Sequence, residues 1–270
     1  MKDMDPRITS EIKEWIGDQL NRGCTEGSVI KAMLASGWPQ EVAHEALAEF
    51  TNKDGTPSPD VEDKTQITVD GHTIKVLATL KHPHAVVFGN FLTEEECEAL
   101  CQEAQPRMTR SQTVVAATGE SEVNSARTSD GMFFKLGESE LIEKIENRIA
   151  QVLNWPVERG ESLQILKYTA GTQYKTHFDY FDLENPGTQK ILDRGGQRVG
   201  TLVMYLKEPE GGGFTTFPDA GFNVAPIKGN ALFFGYDKPH KSTGTLHGGS
   251  EVLAGEKWVA TKWLRQRTFK

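Results

Sequence analysis

Tyr174-Lys-Thr-His-Phe-Asp-Tyr180 is the stretch from which the organisation of this 270-residue chain can be read. His177 and Asp179 stand two apart, and on an extended backbone such residues point to the same side, so an imidazole and a carboxylate can grip one ion. Taken alone the pair also describes a polar surface strand, because His-x-Asp is common by chance. A third ligand must come from elsewhere. Downstream stand His240, in Lys-Pro-His-Lys, and His247, in Thr-Leu-His-Gly-Gly. Either could return on a later strand to complete a two-histidine, one-carboxylate face, which suits non-haem Fe(II) and leaves positions open for a co-substrate and oxygen. The absence of a nearby cysteine ligand weighs against structural zinc.

Working outward, everything after Ser162 alternates between strand patterns and turn residues, whereas the earlier part carries helical stripes. Helices first and strands afterwards predict an α+β arrangement. In Glu256-Lys-Trp-Val-Ala-Thr-Lys-Trp263 one strand face holds Lys257, Val259, Thr261 and Trp263. That is odd company for a lysine unless its charge meets an anion. Lys262 falls on the opposite face and is expected to be solvated, as is the basic tail through Lys270.

Several runs resemble the prolyl 4-hydroxylase family of Fe(II)- and 2-oxoglutarate-dependent dioxygenases. They are Leu163 to Phe181, Thr245 to Trp263, Arg127-Thr-Ser, Thr201-Leu-Val-Met-Tyr-Leu and Lys228-Gly-Asn-Ala-Leu-Phe-Phe. Together they span roughly residues 80 to 265 in the family's order. The resemblance implies a double-stranded β-helix, a jelly-roll barrel with the early helices packed outside it. It selects His247 over His240, because Lys257 then follows at the family's spacing. The Gly-Gly after His247 also permits close backbone approach, and His240 has the look of an exposed turn. The implied ligand set is His177, Asp179 and His247. Lys257 is the implied cation for the distal carboxylate of 2-oxoglutarate, with hydrogen bonds from Tyr168 and Thr201.

By the same resemblance, Arg127, Tyr174 and Trp263 line a substrate groove, where an aromatic face suits a prolyl ring and an arginine suits a backbone carbonyl. The family's reaction consumes O2 and 2-oxoglutarate, releases succinate and CO2, hydroxylates an unactivated C–H bond, and draws on ascorbate as reductant. No catalytic side chain beyond the metal site is implied. Phe214 stands where the family commonly has an acidic residue, so groove details differ here. The segments 124–131 and 183–196, rich in turn formers, are expected to act as lids over a peptide.

The remaining features bound the class. A 37% hydrophobic content supports a real core, and no apolar run approaches the ~20 residues of a spanning helix. Met1-Lys-Asp-Met-Asp-Pro-Arg7 is too polar for a signal peptide, which predicts a cytoplasmic protein without a membrane partner. The odd set Cys24, Cys97 and Cys101 reads as reduced thiols. A net charge of −8 argues against nucleic acid.

Residues 1–50 predict a small three-helix module with a Gly37-Trp38 corner, loosely similar to ubiquitin-associated domains and suited to contact with a partner or another subunit. Residues 51–64 read as linker and 65–270 as the dioxygenase domain. Asp70-Gly71 signals a type I′ hairpin, Thr93 caps a helix through Leu100, and Ser139 opens a helix to Leu153.

The leading reading is hydroxylation of a prolyl residue in a peptide or protein. The alternatives are hydroxylation of another side chain or a free small molecule, and a non-catalytic binding protein built on a remnant barrel.

Overall fold

The computed structural model describes residues 7–22, 24, 26–39, 42, 43, 46, 47, 55–114, 121–123, 128–183, 185 and 187–270. It divides into two compact units, Met1–Gly55 and Thr56–Lys270.

In the first unit, helix α1 (Ser10–Asn21) and helix α2 (Glu26–Ala35) follow the three- and four-residue apolar spacing. Ile8, Ile16, Val29, Met33, Val42, Ala43, Ala46 and Leu47 close a small core of their own. Helix α2 ends as the Gly37-Trp38 corner requires. Gly37 has φ of 85°, its N–H returns to Leu34 O and that of Trp38 to Met33 O, the paired bonds of a Schellman stop. The expected third helix, opening at Pro39, is helical at residues 42, 43, 46 and 47, with Ala43 N–H bonded to Pro39 O, and its residues 40, 41, 44, 45 and 48–50, Phe50 among them, lie outside the described residues.

The second unit begins at Thr56, so most of the segment read as linker belongs to it. Ser58 N–H donates to Leu153 O, and Val61 packs against the main core. Proline and aspartate gave this stretch the composition of a linker, but apolar contact holds it down.

In chain order the unit contains β1 (Gln66–Val69), β2 (His72–Leu80), β3 (His84–Gly89), helix α3 (Glu94–Ala104), β4 (Thr109–Arg110), β5 (Gln112–Val114), β6 (Ser121–Val123) and β7 (Asp130–Phe134). Helix α4 (Glu140–Leu153), β8 (Leu163–Thr169), β9 (Tyr174–His177), the short helix α5 (Thr188–Leu192) and β10 (Arg198–Lys207) follow. The chain then forms β11 (Gly211–Gly212), β12 (Thr215–Phe217), β13 (Phe222–Val224), β14 (Ala231–Gly235), β15 (His247–Gly249), β16 (Val252–Ala254) and β17 (Glu256–Arg265).

Nine strands form one antiparallel sheet in the order β1-β2-β3-β14-β10-β17-β8-β7-β4, and four form a second, β13-β12-β15-β9. The hairpin joining β1 to β2 turns at Asp70 and Gly71, both at positive φ, as a type I′ turn demands.

Period-two alternation sorts the central strands of the large sheet. Leu163 and Ile165 of β8, Leu202 and Met204 of β10, and Ala260 and Leu264 of β17 pack under α3 and α4, with Leu100, Ile142, Ile145 and Ile149. The opposite parity, with Leu166, Tyr168, Val203, Tyr205 and Val259, meets Phe217 and Val224 of the small sheet. The central strands are therefore buried on both faces, and the site forms between the sheets.

Helix α3 starts with a reciprocal capping box. Thr93 Oγ1 accepts from Glu96 N–H, and the Glu96 carboxylate accepts from Thr93 N–H at 2.9 Å. The cysteines Cys24, Cys97 and Cys101 are free, and burial pushes the Cys97 thiol up to about 12. Among the described residues, no helix is long and apolar enough to cross a membrane.

Two expectations fail for one reason. Lys262 is not solvated: its side chain is 2% exposed and its Nζ lies 2.6 Å from Glu146 Oε1. Arg265, placed in a solvated tail, is 1% exposed and donates to Glu161 Oε1 at 2.8 Å. Strand parity names the face on which a residue lies. It does not reveal what covers that face: helix α4 offers Glu146 to Lys262, and the segment leading into β8 offers Glu161 to Arg265.

Candidate active site

Strand β9 delivers His177 at its end, and Asp179 follows in the next turn. Strand β15 pairs antiparallel with β9 so that His247 sits directly opposite His177. The glycines after His247 permit this closeness: a Cβ on Gly248 would come within 3.0 Å of Tyr174 O and 3.1 Å of Thr176 N.

The two imidazole centroids are 4.4 Å apart. Asp179 Oδ1 stands 3.4 Å from His177 Nε2, and Oδ2 stands 3.5 Å from His247 Nε2. One ligand atom from each of the three residues lies within 4.8 Å of the others.

Hydrogen bonding sets the ring tautomers. His177 Nδ1 is 2.8 Å from Lys175 O and His247 Nδ1 is 2.9 Å from Thr245 O. A carbonyl can only accept, so each Nδ1 carries the proton and each Nε2 presents a lone pair to the cluster. Burial, then the neighbouring His177, lowers His247 to about 4, which keeps it neutral near pH 7. Burial alone would raise the Asp179 carboxyl, but the two histidines and the Arg198 guanidinium hold it well below the usual carboxylate range. Two imidazoles with Nε2 turned to the cluster and an ionised carboxylate are the donor set of a divalent ion. His240 is elsewhere in function: it is exposed, caps the turn at Lys241–Thr243 and accepts from Ser242 N–H.

Lys257 enters the same pocket from β17, opposite Tyr168 of β8. Its residue is 5% exposed and its Nζ lies 5.5 and 5.8 Å from the ring centroids of Tyr168 and Tyr205. Among the described residues no carboxylate pairs with it, and burial lowers its ammonium to about 8. A buried cation facing aromatic rings and lacking a counter-charge is a receptor for an anionic group. Val259, Thr261 and Trp263 line the pocket on the face anticipated from sequence.

The other anticipated residues divide. Tyr174 lines the pocket and stacks on His177, with centroids 3.8 Å apart. Trp263 lines it as well, its indole Nε1 buried without a hydrogen-bond partner. Thr201 lines the pocket, but its hydroxyl donates to Asp179 Oδ2 at 2.7 Å. Arg127 lies outside the described residues, as does the 124–127 part of one expected lid. The other expected lid contains helix α5 and is tied down where Arg265 donates to Ile191 O and Gly196 O. Phe214 is 41% exposed, its N–H donating to Ser250 Oγ at 2.8 Å.

Four further contributors were not singled out in sequence. Tyr205 OH and Thr215 Oγ1 are 2.9 Å apart on the Lys257 side of the pocket. Tyr236 OH is 2.9 Å from Thr201 Oγ1. Arg198 donates from Nε and Nη2 to Glu161 at 2.7 and 2.9 Å and from Nη1 to Asp179 O at 3.3 Å, with its guanidinium 4.0 Å from the Trp263 ring centroid. An arginine three residues before Thr201 at the start of an apolar strand was the available signal, but its partners come from distant segments.

Residues 163–265 match the 2OG-Fe(II) oxygenase superfamily. Prolyl 4-hydroxylase 5 of Arabidopsis thaliana is 41% identical over 209 residues, covering 70% of each chain. Prolyl 4-hydroxylase 1 of the same plant is 42% identical over 207 residues, covering 68% of this chain and 70% of that one. Among solved structures, a viral collagen prolyl hydroxylase from Paramecium Bursaria Chlorella virus-1, in its 2OG complex, aligns with a TM-score of 0.51 at 30% identity. That alignment covers 67% of this chain and 95% of the viral one, and it implies a jelly-roll core for the paired sheets. From identity at this level across two thirds and more of both chains, it follows that the protein belongs to the prolyl 4-hydroxylase family within the 2OG-Fe(II) oxygenase superfamily.

Proposed function

We propose that the protein hydroxylates a prolyl residue in a peptide or protein, with Fe(II) held by His177, Asp179 and His247 and the distal carboxylate of 2-oxoglutarate held by Lys257. One observation carries the reading: a ligand triad with its lone pairs converging and a buried lysine without a counter-charge share one pocket. Fe(II) with 2-oxoglutarate and O2 supplies the oxidising equivalents that place one oxygen on a C–H bond, while 2-oxoglutarate leaves as succinate and CO2.

The chain's own groups do the remaining work. Lys257 would offer its ammonium to the dicarboxylate, with Tyr168, Tyr205 and Thr215 around it as hydroxyl partners. The apolar side chains of Leu166, Val203 and Val259 line the pocket and restrict water near the reacting centre. Tyr174 and Trp263 offer aromatic faces to a prolyl ring. The relatives' names, prolyl 4-hydroxylases from a plant and a collagen prolyl hydroxylase from a virus, favour proline over other side chains.

Ascorbate as reductant and a cytoplasmic location belong to the same proposal, the latter supported by the three free cysteines. The first unit, with its own closed apolar core, is assigned to partner contact.

Mass spectrometry decides the matter. Proline-containing peptides and a metabolite mixture are incubated with the protein, Fe(II), ascorbate and 2-oxoglutarate, and one added oxygen on a prolyl residue is expected. Oxygen on a metabolite and on no peptide would overturn the prolyl assignment. No consumption of 2-oxoglutarate by the iron-loaded protein with any of these would leave a binding protein as the reading.

A further inference from the structure

The Asp179 carboxylate is held by two hydroxyl groups in series. Thr201 Oγ1 donates to Asp179 Oδ2 at 2.7 Å, and Tyr236 OH lies 2.9 Å from Thr201 Oγ1. The direction of the second bond follows from the first. An ionised carboxylate only accepts, so Thr201 gives its one proton to Asp179 and must itself accept from Tyr236. All three residues are buried, Thr201 fully so, and hydrogen bonds to a charge in such surroundings are short and directional.

The framework behind this relay is rigid. Thr201 stands in β10 between β14 and β17, opposite Phe234 and Trp263. Tyr236 follows directly on β14, its N–H donates to Val199 O at 3.1 Å, and its ring packs near Tyr180 and Phe234. Asp179 is placed differently. It follows β9 outside any strand, with the 3.3 Å bond from Arg198 to its carbonyl as a backbone tie. The direction of its side chain is thus left to groups that hydrogen-bond its oxygens, and Thr201 is the hydroxyl that does so.

We propose that Thr201 and Tyr236 are positioning residues that fix the rotation of the Asp179 carboxylate, so that it meets a divalent ion together with His177 and His247. This rests on reading those three residues as the ligand set. It assigns the Thr201 hydroxyl to the metal carboxylate and away from the co-substrate.

The test uses the full chain with Mn(II) alone as probe, titrated and followed by the electron paramagnetic resonance of free Mn(II). Binding of 2-oxoglutarate to the Mn(II)-loaded protein is then measured separately. Thr201→Val should weaken Mn(II) binding by roughly 10-fold or more, the range seen when groups supporting a metal ligand are removed. Tyr236→Phe, which keeps the ring, should weaken it several-fold, and Thr201→Ser, which keeps the hydroxyl, should recover most of the loss. The 2-oxoglutarate affinity of the loaded variants should be unchanged.

Wild-type Mn(II) affinity in both Thr201→Val and Tyr236→Phe overturns the proposal. So does a loss of 2-oxoglutarate affinity with Mn(II) binding intact, which would return the hydroxyl to the co-substrate. A Thr201→Ser protein no better than Thr201→Val would show a packing effect and also overturn it. Should Thr201→Val not fold, Tyr236→Phe and Thr201→Ser carry the test. His177→Ala serves as the separate control: if it binds Mn(II) as wild type does, the ligand set itself is wrong, whatever Thr201 does.

Discussion

Lys262 Nζ lies 2.6 Å from Glu146 Oε1 with both side chains 2% exposed, and this pair ties helix α4 to β17, the strand that also carries Lys257 and Trp263. Removing one partner strands the other charge in the core. Lys262→Met should therefore cost roughly 3–5 kcal/mol in urea unfolding. Pairing it with Glu146→Leu should recover part of that loss, because the orphaned charge is gone. Recovery will be incomplete, since Glu146 Oε2 also accepts from Gly137 N–H at 2.9 Å. A single variant as stable as wild type would show that the pair contributes nothing.

Lys257 gives a pH signature in the protein without co-substrate. Burial holds its folded pKa at about 8, below the 10.5 of a free lysine. The folded chain therefore resists protonation at this site, a penalty on the order of 3 kcal/mol present in full below pH 8. Between pH 8 and 10.5 the unfolded chain holds a proton that the folded chain has released, so this contribution to stability rises with pH across that window. Lys257→Met should abolish that rise in urea titrations and stabilise the protein at pH 7. It should also raise the 2-oxoglutarate requirement by about 100-fold or more while leaving Mn(II) binding intact. Wild-type affinity for 2-oxoglutarate would remove Lys257 from the site.

For the ligand set, His177→Ala or Asp179→Ala should abolish succinate formation in assays supplied with Fe(II). Both residues lie outside the two main apolar clusters, so circular dichroism should show a folded protein even though His177→Ala loses the stack on Tyr174. Undiminished turnover by either folded variant would dismiss the assignment.

The Glu96–Arg148 pair predicts sensitivity to acid. Arg148 donates from both Nη atoms to Glu96 at 2.6 and 2.7 Å. Burial alone would raise the Glu96 carboxyl, but the bonds from Arg148, Thr93 N–H and Lys144 outweigh it and lower the group from 4.5 to about 2. A depressed carboxylate contributes stability above its unfolded pKa and loses it as the pH falls through the folded one. Between pH 4.5 and 2 the wild type should lose about 3 kcal/mol more than Glu96→Gln in urea unfolding. Equal losses would show that the pair is not responsible.

Local chemistry made much of this protein legible in its sequence. Asp70-Gly71 determines its hairpin because few other residues tolerate two successive positive φ values, and Thr93 and Ser139 mark helix starts because their hydroxyls satisfy exposed N–H groups. Alternation put Lys257, Val259, Thr261 and Trp263 on one face, whereas Asp179 meets His177 from just beyond the end of β9, where strand parity no longer holds.

Tertiary structure alone decided the rest. That β15 lies beside β9 with His247 facing His177, seventy residues away in sequence, depends on strand pairing that no local pattern encodes. The burial of Lys262 and Arg265, the Glu161–Arg198 support of Asp179, and the relay from Tyr236 through Thr201 are contacts between remote segments. Sequence determines which face a side chain takes, since that is a property of neighbouring bonds. What covers the face, and so whether a charge there is solvated, paired or left for a ligand, is decided by packing between elements.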